Sequence, residues 1–239
     1  MKRLRRALVI FNPKKPHAKE LATEVSAFLR ANGAEVVKHA EIADALIIVS
    51  GDGTLLYHKS KYRLPIFAIG SETSFICQAT SKNWGGKLLR IIRDGFRTEK
   101  RMMLACEVNG KVVENALNEV VIRSRDHRVI DLEVSVGGKR FSFYADGILF
   151  STPTGASAYC YSCGGSELPK HARRYEVVAI APYRRLFKPM IVRDSAVSSA
   201  TTKSSTADLV FDGQFIHRVK PGSKIRVYKS RQTVELIRA

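Results

Sequence analysis

The run Ala45-Leu46-Ile47-Ile48-Val49 passes without a spacer into Ser50-Gly51-Asp52-Gly53-Thr54, and this junction restricts the fold more than any other part of the chain. A short, continuous apolar run reads as a parallel strand buried on both faces, which an α/β sheet covered by helices provides. The residues after it then lie at a carboxyl edge, where open α/β sheets bind ligands. Gly51 and Gly53 let a phosphate approach closely, successive N–H groups can cradle it, and Asp52 sets one carboxylate beside them. None of this is required to fold a strand.

A second segment departs from folding necessity in the same way. Asp146-Gly147 is followed by Ser151-Thr152-Pro153-Thr154-Gly155-Ala156-Ser157-Ala158-Tyr159, which offers many hydrogen-bonding groups over little bulk, as a nucleotide or sugar pocket requires. Together the two segments point to a kinase.

Ala7 to Phe11 reads as another buried parallel strand ended by Asn12-Pro13. Pro16 suits a helix start, and Ala18, Leu21, Ala22, Val25, Phe28 and Leu29 recur at helical spacing until Gly33. Val36-Val37 and Pro65 to Ile69 supply further strands, with short helices after Gly53 and around Lys87 to Arg93. From Arg101 the pattern becomes β-rich: Met102 to Val108, Lys111 to Val121, Val129 to Val136, Lys139 to Tyr144, Glu176 to Ala181, Leu209 to Phe211, Ile225 to Tyr228 and Thr233 to Ile237. Asn109-Gly110 and Gly137-Gly138 read as two-residue hairpin turns. The expected fold is an α/β, Rossmann-like N-terminal domain over residues 1–100 and a mainly β, antiparallel, sandwich-like domain over 101–229.

A chain of 239 residues with 45% hydrophobic residues can bury a substantial core. No apolar stretch approaches the roughly 20 residues of a membrane span, and the basic start leads into a run too short for a signal-peptide core, so a cytoplasmic protein without membrane partners is expected. Cys77, Cys106, Cys160 and Cys163 do not make a secreted disulfide framework. The formal net charge of +18 suits small anionic ligands by steering and also suits nucleic acid. Lys and Arg are scattered without a basic block or a DNA-binding motif, so no specific nucleic-acid partner is expected. His17, His39, His58, His127, His171 and His217 lie in no metal-like spacing, and Cys160-Tyr161-Ser162-Cys163 lacks a second pair to complete a zinc site, which leaves packing as its reading. No protein metal site is expected. That leaves room for magnesium, which arrives with nucleotide phosphates.

Two roles are open to Asp52: capping the following helix, or accepting the proton of a substrate hydroxyl during attack on phosphorus. Asn118-Glu119 sits between Ala116-Leu117 and Val120-Val121-Ile122, so two adjacent polar groups in a largely buried run need partners that a bound nucleotide can supply. Thr154 and Ser157 offer hydroxyls and Tyr159 a ring face, with a helix cap and a core tyrosine as the alternatives.

Gly51-Asp52-Gly53-Thr54, Asn118-Glu119, Asp146-Gly147, the block Ser151 to Tyr159, Gly164-Gly165 and Asp212-Gly213-Gln214 occur in the order and at roughly the spacing of NAD kinases, which the chain resembles over most of its length. The resemblance implies phosphoryl transfer from ATP, or another phosphate donor, to the 2′-hydroxyl of the adenosine ribose of NAD, with Mg2+. Asp52 is then the base facing that hydroxyl. Gly53, Asn118, Glu119, Asp146, Thr154, Ser157, Ala158, Tyr159, Ser162 and Gln214 contact the dinucleotide. A homo-oligomer, dimer or tetramer, is expected, and the segment 230–239 returns to the first domain. The alternatives are a related Gly-Asp-Gly kinase acting on a lipid or polyol hydroxyl, and a basic nucleotide- or nucleic-acid-binding module without catalysis.

Three positions depart from the family pattern. Ser50 replaces a glycine, a small change. Gly70-Ser71-Glu72-Thr73-Ser74-Phe75-Ile76 stands where the family has Gly-x-Asn-x-Gly followed by Leu-Gly-Phe, and Tyr144 replaces a basic residue. These bear on donor preference and substrate identity more than on the reaction class.

Overall fold

The computed structural model describes residues 2–126 and 128–238; His127 lies outside them. The chain divides into two compact units, Met1–Lys100 with Val234–Ala239, and Arg101–Thr233.

The first unit contains, in order, β1 (Arg6–Phe11), α1 (Pro16–Ala31), β2 (Glu35–Val37), β3 (Ala45–Val49), α2 (Asp52–His58), β4 (Ile66–Gly70), β5 (Ala79–Thr80) and α3 (Trp84–Asp94). Its sheet runs β2-β1-β3-β4 with every neighbour parallel. All residues of β3 and β4 are buried, which is why their sequences are apolar without alternation. Helix α1 carries Pro16 in its first turn and buries Ala18, Ala22, Val25 and Leu29. Gly33 ends it at φ 86°, and the N–H of Ala34 returns to the carbonyl of Leu29. Phe28 and Trp84 meet edge to face at 5.3 Å and pack α1 against α3. Leu236, near the end of the chain, pairs parallel with Ile66 on the open side of β4.

The second unit is built from β6 (Arg97–Val108) from Arg101 onward, β7 (Lys111–Ala116), β8 (Glu119–Ser124), β9 (Ile130–Val136), β10 (Lys139–Ala145), β11 (Gly147–Ser151), α4 (Tyr159–Ser162), β12 (Arg174–Ile180), β13 (Met190–Arg193), β14 (Ser198–Thr202), β15 (Ala207–Phe211), β16 (Phe215–Val219) and the first part of β17 (Ile225–Arg238). One antiparallel layer runs β13-β12-β11-β8-β15-β16; the other places β10-β9-β14 beside β17. Val120, Ile122, Ile148, Phe150, Tyr175, Val177, Leu209 and Phe211 of the first layer share one core with Ile130, Leu132, Val134, Ala200, Ile225 and Val227 of the second. The opposite face of the first layer, at Val121, Leu149 and Val178, is covered by Cys160 of α4.

Both predicted hairpin turns are present, Asn109-Gly110 at φ 49° and 85° and Gly137-Gly138 at 57° and 79°. The expected run Lys111 to Val121 is two strands of different sheets, because the backbone leaves its ladder at Leu117-Asn118 to bond a side chain described below. The two strands expected near the end of the chain are the single β17. Strands β5, β11, β13, β14 and β16 were not expected. No described helix is long and apolar enough to cross a membrane.

Candidate active site

In the first unit, β3 turns into α2 through two residues that hold positive φ, Ser50 at 141° and Gly51 at 97°. Their N–H groups both reach the carbonyl of Ile69, at 3.1 and 3.2 Å. Ser50 therefore occupies backbone space that glycine takes at lower cost, so its replacement of glycine carries strain. Its Oγ accepts the N–H of Asn12 at 3.0 Å, which offsets part of that cost.

Asp52 is the first residue of α2, after the N-cap Gly51. Its carboxylate reaches across to the loop after β4. Oδ2 accepts the N–H of Phe75 at 2.7 Å, and Oδ1 accepts those of Ile76 and Cys77, each at 3.1 Å. The thiol of Cys77 hydrogen-bonds the same carboxylate, so the loop surrounds Asp52 with donors. Asp52 is half-buried and Gly53 beside it is exposed. The half-buried Cys77 thiol is pushed up by burial first and by the Asp52 charge second, so it stays protonated next to that carboxylate.

The loop that departs from the family pattern is what supplies these N–H groups. Ser74 Oγ accepts the N–H of Ser71 at 3.1 Å, and a Cβ at Gly70 would collide with Ser74. Glu72 points away to an exposed ion pair with Lys82 at 3.6 Å. The phenylalanine at 75 is left 69% exposed.

In the second unit, Asn118-Glu119 is held by a residue that sequence reasoning quoted but gave no role. Asp212, buried at φ 52°, accepts the N–H groups of Leu117, Asn118 and Glu119 at 2.9, 2.7 and 3.1 Å. With their backbones fixed, the side chains are left over: Asn118 Oδ1 and Glu119 Oε2 are buried without a hydrogen-bond partner among the described residues. Buried polar atoms of this kind are available to bond a ligand. Burial first, and the Asp212 charge second, raise the Glu119 carboxyl to about 8, so it is mainly the neutral acid at pH 7.

The hydroxyl-rich block packs on the same two residues. Thr152 N–H donates to the Asn118 carbonyl at 2.8 Å and its hydroxyl to the Leu117 carbonyl. The N–H groups of Thr154 and Gly155 in turn donate to Thr152 Oγ1 at 3.0 and 3.2 Å. Gly155 lies so close to the Asn118 backbone that a Cβ has no space there. Thr154 is buried, Ser157 accepts from Lys170 Nζ at 3.2 Å, and Tyr159 and Ser162 are exposed at the ends of α4, with Ala158 half-buried before it. Thr152 and Asp212 are thus the residues the sequence reading missed. Pairs of a buried-run motif with a late Asp-Gly are too far apart in sequence to announce such contacts.

Two predicted residues stand elsewhere. Asp146 precedes β11, whereas Ser151 at its end pairs with Glu119, so five residues of extended chain, about 17 Å, separate Asp146 from the Asn118-Glu119 group. Gln214 is exposed in the turn between β15 and β16, its N–H on the Phe211 carbonyl at 2.9 Å. Tyr144 is exposed on β10 opposite Asp131.

Cys160 is fully buried, and its thiol lies 3.5 Å from Glu176 Oε2. Burial and that carboxylate push the thiol up, the reverse of what a redox centre needs. Among the described residues no group of three or more His, Cys, Asp or Glu is placed to hold a metal ion.

A family model described as the ATP-NAD kinase C-terminal domain matches residues 117–239. The NAD kinase of Methanosarcina barkeri is 31% identical over 91% of this chain and 82% of its own. That of Treponema denticola is 28% identical over 98% and 90%. Among solved structures, an NAD kinase from Archaeoglobus fulgidus in complex with ATP superposes with a TM-score of 0.82 at 25% identity, covering 98% of this chain and 93% of that one. The yeast NADH kinase complexed with NADH gives a TM-score of 0.87 at 19% identity over 100% and 84%, a likeness of fold.

Proposed function

This chain belongs to the NAD kinase family and is a phosphotransferase acting on NAD, and from that premise we propose how its residues divide the work. Asp52 takes the proton of the adenosine 2′-hydroxyl as that oxygen attacks the terminal phosphorus of ATP. The new O–P bond forms as the bond to the ADP oxygen breaks, and the proton moves to the Asp52 carboxylate. The N–H groups of Phe75, Ile76 and Cys77 fix the carboxylate's rotamer, so no reorientation is needed at the moment of transfer.

The observation that carries the binding role is the pair of unpartnered buried atoms, Asn118 Oδ1 and Glu119 Oε2. A neutral Glu119 can donate one hydrogen bond and accept others, while Asn118 accepts at Oδ1, which suits the mixed donor and acceptor edge of an adenosine. Thr154, Ser157, Ala158, Tyr159 and Ser162 extend this surface. Asp146 and Gln214 are proposed as contacts for more distant parts of the dinucleotide.

Magnesium fits as a companion of the ATP phosphates, whose charge it neutralises, because the described residues offer single carboxylates and no cage. Four cysteines kept as free thiols fit a cytoplasmic location. A dimer or tetramer is part of the same proposal. The test is to incubate the protein with ATP, magnesium and a panel of acceptors comprising NAD, NADH, a polyol and a diacylglycerol. Formation of the 2′-phosphorylated dinucleotide alone supports the reading; phosphorylation of the lipid or polyol in its place would contradict it.

A further inference from the structure

We propose that Gln78 is a positioning residue for the transfer step, holding the loop whose N–H groups aim Asp52. The proposal rests on Asp52 being the base. Asp52 is aimed by three consecutive N–H donors, and such donors can face one carboxylate only while their peptide planes stay fixed. Residues 75–77 belong to no strand or helix, so no ladder of hydrogen bonds fixes them.

Gln78 does this with both ends of its side chain. Its Oε1 accepts the N–H of Ala68 in β4 at 2.7 Å, and its Nε2 donates to the carbonyl of Ile76 at 2.7 Å. The carbonyl of Ile76 belongs to the same peptide plane as the N–H of Cys77, one of the two donors to Asp52 Oδ1. A hydrogen bond on one side of that plane therefore sets the direction of the other. The backbone of Gln78 adds two anchors: its N–H donates to the Ala68 carbonyl at 2.9 Å, and its own carbonyl accepts Lys87 Nζ of α3 at 2.5 Å. The residue is 7% exposed, so its side-chain bonds are sheltered from water and it contributes no surface to a substrate. Its polar groups are thus spent on the Asp52 loop and on the edge of β4, the strand that leads into that loop.

A merely structural glutamine and a positioning one differ in how their loss depends on Asp52, so a double-mutant cycle decides between them. We would measure kcat and KM for NAD in wild type, Gln78→Met, Asp52→Asn and the double variant. Gln78→Met is expected to lower kcat tenfold or more with KM for NAD within twofold, and to cost less than twofold when Asp52 is already asparagine. Equal fractional losses in the two backgrounds, or a Gln78→Met kcat within twofold of wild type, would overturn the proposal. Should Gln78→Met fail to fold, Lys87→Met releases only the Gln78 carbonyl; a three- to tenfold fall in kcat that vanishes in the Asp52→Asn background supports the proposal, and its persistence there refutes it. A wild type that makes no phosphorylated dinucleotide refutes the kinase reading itself, and an unchanged kcat in Asp52→Asn refutes the base; the proposal falls with either.

Discussion

Asp212 Oδ1 accepts the backbone N–H of Asn118 at 2.7 Å across 94 positions of the chain. The same carboxylate takes the N–H groups on either side, so the irregular backbone between β7 and β8 is organised by one acidic residue. That arrangement is what frees the Asn118 and Glu119 side chains for a ligand.

Asp212→Ala would leave three buried N–H groups without an acceptor, each costing about 1–3 kcal/mol. We expect a loss of at least 3 kcal/mol in urea unfolding and no measurable NAD binding in the fraction that remains folded. A stability within about 1 kcal/mol of wild type would mean that water replaces the carboxylate.

Asn118→Ala should separate binding from stability. Because Oδ1 has no hydrogen-bond partner among the described residues, its removal deprives none of them of a bond, whereas a bound adenosine loses one. Calorimetry should show NAD affinity reduced tenfold or more with Tm within about 2 °C. Unaltered affinity with a lowered Tm would assign the residue to structure.

Glu119 predicts a pH dependence. Its carboxyl is raised from 4.5 to about 8 in the folded chain, so below pH 4.5 folded and unfolded forms are both protonated and the group costs nothing. Between 4.5 and 8 the unfolded chain ionises while the folded one holds its proton, and stability falls by up to about 1.4 kcal/mol per pH unit. Above pH 8 both forms are ionised and the loss levels off. Denaturant midpoints from pH 5 to 9 should decline in wild type and flatten in Glu119→Gln. Parallel curves for the two proteins would show that Glu119 titrates normally.

Much of the first unit was legible because its signals are local. Pro16, the helical spacing of Ala18 to Leu29, and Gly33 mark one helix from its own residues, and the uninterrupted Ala45 to Val49 run announces a buried parallel strand. The second unit was less legible. Ser198-Ser199-Ala200-Thr201-Thr202 has the composition of a loop and is a strand only because β9 and β17 pair with it on both sides. Gly147 to Ser151 was absorbed into the reading of a pocket, although it is a fully buried central strand. Among site residues, Asp52 and Asn118-Glu119 stood out by motif. The side chains that hold them, Asp212, Thr152 and Gln78, act through contacts that sequence spacing does not encode.

The central claim is that Asp52 is the base for phosphoryl transfer to NAD. Asparagine at this position keeps the shape and can still accept two of the three loop N–H groups through its carbonyl, so the fold should survive with a stability loss of about 1 kcal/mol. The direct measurement is kcat for formation of the 2′-phosphorylated dinucleotide by Asp52→Asn, with NAD affinity measured on the same preparation. We predict a fall of about 10² to 10⁴ in kcat with affinity within threefold of wild type. A fall of less than tenfold with intact binding would contradict the assignment.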